Sequence, residues 1–404
     1  MAHEFQKMID DCESKLIVPV GQHITGTLHL KSNMELHLPA GAEILGSLSI
    51  KDYPYDYTGI KSKLRHSPAL IVAENQENIT FSGNGVIDGR GSREAFPAVK
   101  PGDELDRPML LRFSNCKNVY LRDVHFNNSA SWGLHFIDCE NVHIDGICMD
   151  SVLNRNNDGL DLDGCRDVFI SNCRLRTGDD AICPKSTVNV TENVVITNCI
   201  ISSRTAAFKL GTSSAGGFRN ITLSNCVFRD CKMGAIKLLC VDGGILENIM
   251  ISDVVMDRVE GPIFIRLGDR GKRYAGSAIH SESTAEEEIA GKAPAGILRN
   301  VTISNIRAHV ETDDRQRSGI MITGVPGRRV EDIRLRDVYI SFPGGGTAEE
   351  AQIQVAEDEA RYPEQFFFGT LPSWGCSGSN SIAAVNSTLL LGISSLLMNN
   401  RDTF

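Results

Sequence analysis

Short runs of alternating apolar and polar residues recur along this chain at a nearly constant interval. The segments ENITFSGNGVID (77–88), CKNVYLRDVHF (116–126), CENVHIDGICM (139–149) and CRDVFISNCRL (165–175) share one pattern. Each carries Asn or Asp, an apolar residue, a spacer and another apolar residue, then two positions before a further apolar pair. TENVVITNCII (191–201), FRNITLSNCVF (218–228), LENIMISDVVM (246–256), LRNVTISNIRA (298–308) and VEDIRLRDVYI (330–340) continue it. From Asn118 the anchors fall at 141, 167, 193, 220 and 248, in steps of 23, 26, 26, 27 and 28 residues. The next anchor, Asn300, lies 52 residues on, which reads as two steps of 26.

Alternation at period two predicts short strands, and a repeat in the mid-twenties predicts a solenoid. Leucine-rich repeats have a similar period, but they need a leucine ladder and a helical stretch that this pattern lacks. β-branched residues alternating with Asn, Ser, Thr and Gly suit a parallel β-helix, where Asn tolerates the bends between strands. Its coils stack at about 4.8 Å, so residues one period apart become neighbours. One coil cannot bury its own apolar face, so the array is expected to behave as one continuous domain. The Asn-x-Thr sequons at Asn78, Asn189, Asn220 and Asn300 are read as bend chemistry rather than as glycosylation sites.

Composition narrows the partners. The 404 residues are 41% hydrophobic, enough for a large core, and carry a net charge of −10 with a pI near 5.5. Nucleic acid and anionic membranes attract basic surfaces and are not expected partners. A local basic pocket for an acidic sugar remains compatible. MAHEFQKMIDDCESKLIVPVG lacks the basic start and apolar run of a signal peptide. No stretch approaches the roughly 20 apolar residues needed to span a bilayer. The twelve cysteines lack zinc spacing or a compact disulfide pattern and sit mostly in the repeated strands. They are read as buried thiols in a reducing, cytoplasmic setting.

The densest chemistry lies in NNDGLDLDGCRDVFISNCRLRTGDDAIC (156–183). Asp158 and Asp179 are 21 residues apart, about one coil, and are expected nearly above one another. Leu160 and Leu162 alternate with Asp161 and Asp163, so the leucines should point in and the carboxylates out. Gly178 permits a tight turn presenting Asp179 and Asp180 to solvent. Crowded carboxylates should raise at least one pKa, leaving an acid beside ionised neighbours, as glycoside hydrolysis requires. A calcium site and a merely solvated acidic face fit the spacing equally well.

At these residues the sequence resembles glycoside hydrolase family 28, the polygalacturonases and rhamnogalacturonan hydrolases. NNDGLDLDG resembles the family's Asn-Thr-Asp-Gly motif, with Asn157 in place of Thr, and TGDDAIC resembles its Gly-Asp-Asp motif. VPVGQHITGTLHLKSNMELHLPAGAEILGS, DYP (52–54) and GNGVIDGRG (83–91) are also similar to the family, and the likeness runs over residues 5–374. It implies an all-β, single-domain, right-handed parallel β-helix, a pectin-lyase-like solenoid. It also implies hydrolysis of pectic oligo- or polysaccharides with inversion. A monomer without metal or cofactor is expected. Asp179 would be the general acid, while Asp158 and Asp180 would activate water, with Asp161 in support and Asp163 a solvated bend. The acid and base are expected far enough apart to hold that water.

Two departures bear on the substrate. The family's Gly-His-Gly corresponds to SSRTAAFKLGT (202–212), with Ala206 at the His position. Its Arg-Ile-Lys appears as AIK, where Ala235 replaces Arg and Lys237 remains. The Arg and Lys hold a galacturonate carboxylate in the family, and a lone Lys cannot provide the bidentate fork of Arg. Lys209 and Arg266 are candidate substitutes, and Trp132 with His135 a candidate sugar platform. The loss shifts weight towards rhamnogalacturonan or another decorated pectic fragment. A β-helix polysaccharide lyase and a non-catalytic carbohydrate-binding β-helix are the alternatives.

GDRGKRYAGSAIHSESTAEEEIAGKAPAGIL (268–298) interrupts the repeat and reads as a polar loop over the groove. The catalytic domain is placed at 1–374 and an atypical tail at 375–404, where a frameshift or late divergence is expected to have replaced the last coil or two.

Overall fold

The computed structural model describes residues 2–54, 67–99, 106–272, 291–311, 320–341, 364–365, 382–385 and 388–391. A helix, Ala2–Asp11, buries Phe5 and Ile9 in the main apolar core. Strands then run in parallel, each pairing with its counterpart one coil away. One ladder passes through Glu77–Ser82, Lys117–Arg122, Glu140–Asp145, Arg166–Ser171 and Thr191–Thr197. A second passes through Val86–Asp88, His125–Asn127, Cys148–Ser151, Arg174–Thr177 and Ile200–Ser203. From Phe218–Arg229 onwards single long strands, next Ile245–Val259 and Ile297–Val310, serve both ladders. A separate sheet carries Met109–Ser114, Leu134–Ile137, Leu160–Asp163, Ile182–Lys185, Ala206–Leu210, Gly234–Cys240, Ile263–Leu267 and Ile320–Thr323 in spatial order. Coil after coil therefore contributes to three ladders, which is a parallel β-helix.

The repeated anchors are the corners of this helix. Asn118, Asn141, Asp167, Asn193, Asn220, Asn248 and Asn300 all have φ between 52° and 58°. Asn and Asp tolerate that left-handed conformation better than other side-bearing residues. Stacked corners bond to each other: Asn141 donates to Asn118 at 2.8 Å, Asn220 to Asn193 at 3.0 Å, and Asn300 to Asn248 at 2.7 Å. The sequon asparagines Asn78, Asn220 and Asn300 are such corners. Asn189 has no left-handed backbone and instead donates to Asp138 at 2.8 Å.

Between corners the apolar positions point inward and stack in rows. Val119, Val142, Val168, Val194 and Ile221 form one such row, fully buried. Cys139 and Cys165 extend the same logic, each directing its thiol to a carbonyl of the preceding coil, Phe113 O at 3.6 Å and Phe136 O at 3.4 Å. The described cysteines are unpaired and most are buried, as the repeat predicts.

One step of the repeat is corrected. Asn300 is not two coils beyond Asn248, because Glu247 pairs with Arg299 and Ile249 with Val301. The 52-residue step is one coil carrying a long insertion after Ile263–Leu267. The ends of that insertion are tied together by a Lys292–Asp269 ion pair at 2.7 Å and an Ala293 N–H to Gly271 carbonyl bond at 2.9 Å. Its middle, 273–290, and hence its expected position over the groove, lies outside the described residues. Within the tail, Thr388–Leu391 pairs antiparallel with both Ile320–Thr323 and Ile382–Val385. A hairpin-like pair thus covers the sheet edge where another parallel coil would otherwise sit. Among the described residues no helix is long and apolar enough to cross a membrane.

The corner at Asn248 can be tested directly. It has φ 58°, donates to Asn220 at 3.0 Å and accepts from Asn300 at 2.7 Å. Asn248→Ala should destabilise by about 2–3 kcal/mol, combining the left-handed penalty with lost hydrogen bonding. Asn248→Gly keeps the bend and should lose roughly half as much in denaturant unfolding. Equal losses would assign the whole effect to the side-chain bonds.

Candidate active site

The outer face of the separate sheet carries a column of polar side chains. His135 pairs with Asp161, Asp161 with Cys183, and Lys209 with Lys237 across adjacent strands. Leu160, Leu162, Ile182 and Phe208 take the alternate, inward positions. The corner segments above this face supply the rest. The Gly159 N–H donates to Asp180 O at 2.8 Å, and Asp179 N–H to Asn157 O at 3.3 Å, so the two acidic segments stack as adjacent coils. The close approach requires glycine: a Cβ on Gly159 would lie 2.3 Å from the Ala181 carbonyl oxygen.

Trp132, Asp158, Asp179, Asp180, Lys185, Lys209 and Glu364 line a cavity of about 630 Å³. Oxygens of Asp158, Asp179 and Asp180 lie within 4.8 Å of one another. Lys185 sits 2.7 Å from Asp161 and 3.4 Å from Asp158, and Lys209 sits 2.7 Å from Asp180. The Lys185 ammonium also lies 4.8 Å from the centre of the Trp132 ring, a cation–π contact. Thr205 Oγ1 bridges Asp179 at 3.0 Å and Asp180 at 2.9 Å. Four aspartates thus share two lysines: Asp158 and Asp161 both pair with Lys185, Asp180 pairs with Lys209, and Asp179 is met by the Thr205 hydroxyl instead.

That shortage separates the proton affinities. Burial, then the charges of Asp158 and Asp180, push Asp179 up to about 8. Burial also opposes ionisation of Asp180, but Lys209, Lys237 and Lys185 outweigh it and hold Asp180 down to about 2. Burial raises Asp161 to about 6 despite Lys185. Asp158, buried and repelled by Asp161, is pushed well up against the pull of the same lysine. The physical picture is one proton on Asp179 and a second shared around Lys185, with Asp180 ionised.

Several expectations are corrected here. Gly178 does not present Asp180 to solvent, since Asp180 is only 3% exposed; Asp179 is the partly exposed member of the pair. Asp163 is no solvated bend: it is buried and accepts from Thr187 N–H at 2.8 Å and Thr187 Oγ1 at 2.6 Å. Asp161 points outward but is fully buried beneath the cavity, held by Lys185 rather than facing a sugar. His135 is likewise fully buried, packed edge-on to Trp132 at 5.0 Å, so only the Trp132 half of the platform reaches the cavity. Arg266 is buried elsewhere, donating to Thr323 Oγ1 at 2.8 Å and Gly324 O at 3.1 Å. Lys237 is fully buried and paired with Glu364.

Lys185, Thr205 and Glu364 were not foreseen. Lys185 had a signal, because it shares strand parity with Cys183, as Lys209 does with Ala207. Glu364 had none, lying 127 residues beyond the lysine it contacts. Calcium fits poorly: it takes 6–8 oxygen ligands, whereas here two ammonium groups already lie on the carboxylate oxygens.

The fold and site together are those of a parallel β-helix with a carboxylate cluster on one outer face. The chain belongs to glycosyl hydrolases family 28, whose sequence profile matches residues 10–360. Among curated relatives, "Probable polygalacturonase" of Vitis vinifera is 27% identical over 63% of this chain and 55% of its own length. "Exo-poly-alpha-D-galacturonosidase" of Dickeya chrysanthemi is 27% identical over 44% of this chain and 38% of its own length. The chain spans about half the length of the curated relatives it matches. A hyperthermoactive exopolygalacturonase from Thermotoga maritima superposes with a TM-score of 0.60 at 22% identity, covering 81% of this chain and 86% of that one. A polygalacturonase from Erwinia carotovora gives 0.61 at 18% identity, covering 83% and 89%. These likenesses bear out the right-handed parallel β-helix.

Carbon-13 carboxyl NMR should find one cluster aspartate titrating near pH 8, absent in Asp179→Asn. Lys209→Met removes the cation holding Asp180 near 2 and should move that titration upward. An unmoved Asp180 titration would mean another group stabilises its charge.

Proposed function

We propose that this chain hydrolyses α-linked pectic oligo- or polysaccharides containing galacturonate or rhamnogalacturonan. The observation that carries the reading is the opposed pair on one short corner: Asp179 protonated up to about 8, Asp180 ionised down to about 2. Neighbouring carboxyls driven apart in proton affinity provide an acid and a base at the same pH. Family membership and the names of the relatives support the same reaction.

In the proposed step, Asp179 gives its proton to the leaving glycosidic oxygen as the carbon–oxygen bond breaks. Asp180, with Asp158 orienting the water, takes a proton from the water that attacks the anomeric carbon from the opposite side. One hydrogen leaves Asp179 and one reaches Asp180, so solvent exchange restores the starting state. Trp132 offers a flat apolar face for a sugar ring. Inverting carboxyls are usually about 6.5–9.5 Å apart and retaining ones about 5–5.5 Å. The cluster here is compact, with oxygens within 4.8 Å. Inversion is proposed because three carboxyls converge, so two can hold a water while the third keeps its proton. Unpaired buried thiols support the reducing setting proposed with it.

Asp179→Asn should lower kcat by roughly 10²–10⁴-fold, the usual loss for a general acid, without changing the thermal unfolding midpoint. Near-normal turnover would remove Asp179 from the acid role. The sign of the pH effect follows from the same shifts. Activity needs protonated Asp179, so kcat/KM should fall as pH rises through about 8. It should hold on the acid side until Asp180 or the substrate takes up a proton. Proton NMR of the first product should show the inverted anomer; a retained anomer would make Asp158 or Asp180 a nucleophile instead.

A further inference from the structure

The lysine pair beside the base is closed by the protein's own carboxylate. Lys209 and Lys237 are register partners on adjacent strands. Lys237 is fully buried and ion-paired to Glu364, and Lys209 lies 3.8 Å from the other oxygen of the same carboxylate. Lys209 also lies 2.7 Å from Asp180. Glu364 itself is only 4% exposed and lines the cavity.

Charge decides what this end of the cavity accepts. Two ammonium groups face two carboxylates, Asp180 and Glu364, so the group is already neutral. A sugar carboxylate brought here would meet Glu364 in a place where water cannot screen the repulsion. It would have to displace a buried ion pair, and breaking one partner out of such a pair is strongly unfavourable. A neutral ring meets no such cost. Acidic rings have other partners along the same cavity, where Arg155 and Arg204 stand exposed on the lining.

We propose that Glu364 is a specificity-determining residue that makes the sugar position over Lys209 and Lys237 select a neutral ring over a uronate. The substrate class is then a mixed chain, neutral at this position and acidic elsewhere, rather than an unbroken run of uronates. This rests on the cavity being the glycoside site proposed above, but the first of its two tests does not depend on hydrolysis.

The first measurement is thermal unfolding of wild type, Glu364→Ala and Glu364→Gln, with and without added sodium acetate, and sodium chloride as the ionic-strength control. Removing the carboxylate leaves Lys237 buried without its anion, so acetate should raise the midpoint of Glu364→Ala by several degrees and leave wild type unchanged. Glu364→Gln fills the same space without charge and serves if the alanine variant does not fold. No acetate-specific gain in either variant overturns the proposal. The second measurement compares α-linked oligosaccharides that carry galacturonate at the cleaved bond with their carboxyl-reduced counterparts. Wild type should favour the reduced form in kcat/KM, and Glu364→Ala should shift the ratio at least tenfold towards the acid. A wild-type preference for the acid that Glu364→Ala leaves unaltered overturns it. If no oligosaccharide is cleaved by wild type while acetate still rescues Glu364→Ala, hydrolysis is refuted and the anion-excluding role of Glu364 stands.

Discussion

Everything in this molecule depends on the in-register stacking of one coil on the next. Parallel pairing places each outward residue beside its counterpart one coil away, at roughly 4.8 Å. The register holds because the corners cannot slip. Each anchoring Asn or Asp is left-handed and most bond to the corner of a neighbouring coil. A slip of one residue would exchange the inward and outward faces of the strands, moving valines and isoleucines from the core into water. The corners therefore set the register, and the buried rows make any other register costly.

Stacking also explains how this fold concentrates charge. A column of outward residues on adjacent strands is a column of close neighbours, so Asp161 and Lys209 lie within reach of Lys185 and Asp180 without any long loop. Corner segments from successive coils then cover the column and exclude water. Burial makes ionisation costly, and too few lysines for the carboxylates make it selective. Asp180 keeps its charge because Lys209 touches it. Asp179, bonded to a hydroxyl instead, keeps its proton. The opposed pair needed for acid–base chemistry is thus a consequence of which strand carries which cation.

The same packing rules limit what pattern reading can see. The repeat, the inward leucines at Leu160 and Leu162, and the nearness of Asp158 to the Asp179–Asp180 corner were all legible, because each follows from a fixed period and strict alternation. The exposure of those aspartates was misjudged. Alternation distinguishes inside from outside the coil, but an outward side chain can still be covered by the next corner, as Asp161 and Asp163 are. The long step to Asn300 was misread for a related reason: spacing alone does not distinguish two coils from one coil with an insertion, whereas strand pairing does.

Sequence by itself therefore determined the solenoid, its corners, its apolar rows and the membership of the acidic cluster, since all are local or repeat at the coil period. Tertiary structure decided the ion partners. Lys185 is separated from Asp161 by 24 positions and Glu364 from Lys237 by 127, and the latter pair follows no period. Only the folded chain brings Glu364 back over the lysines, which closes a cation pair that the motif alone leaves open. The physical reason is that register propagates from coil to coil, whereas the return of a distant segment over the cavity obeys no repeat.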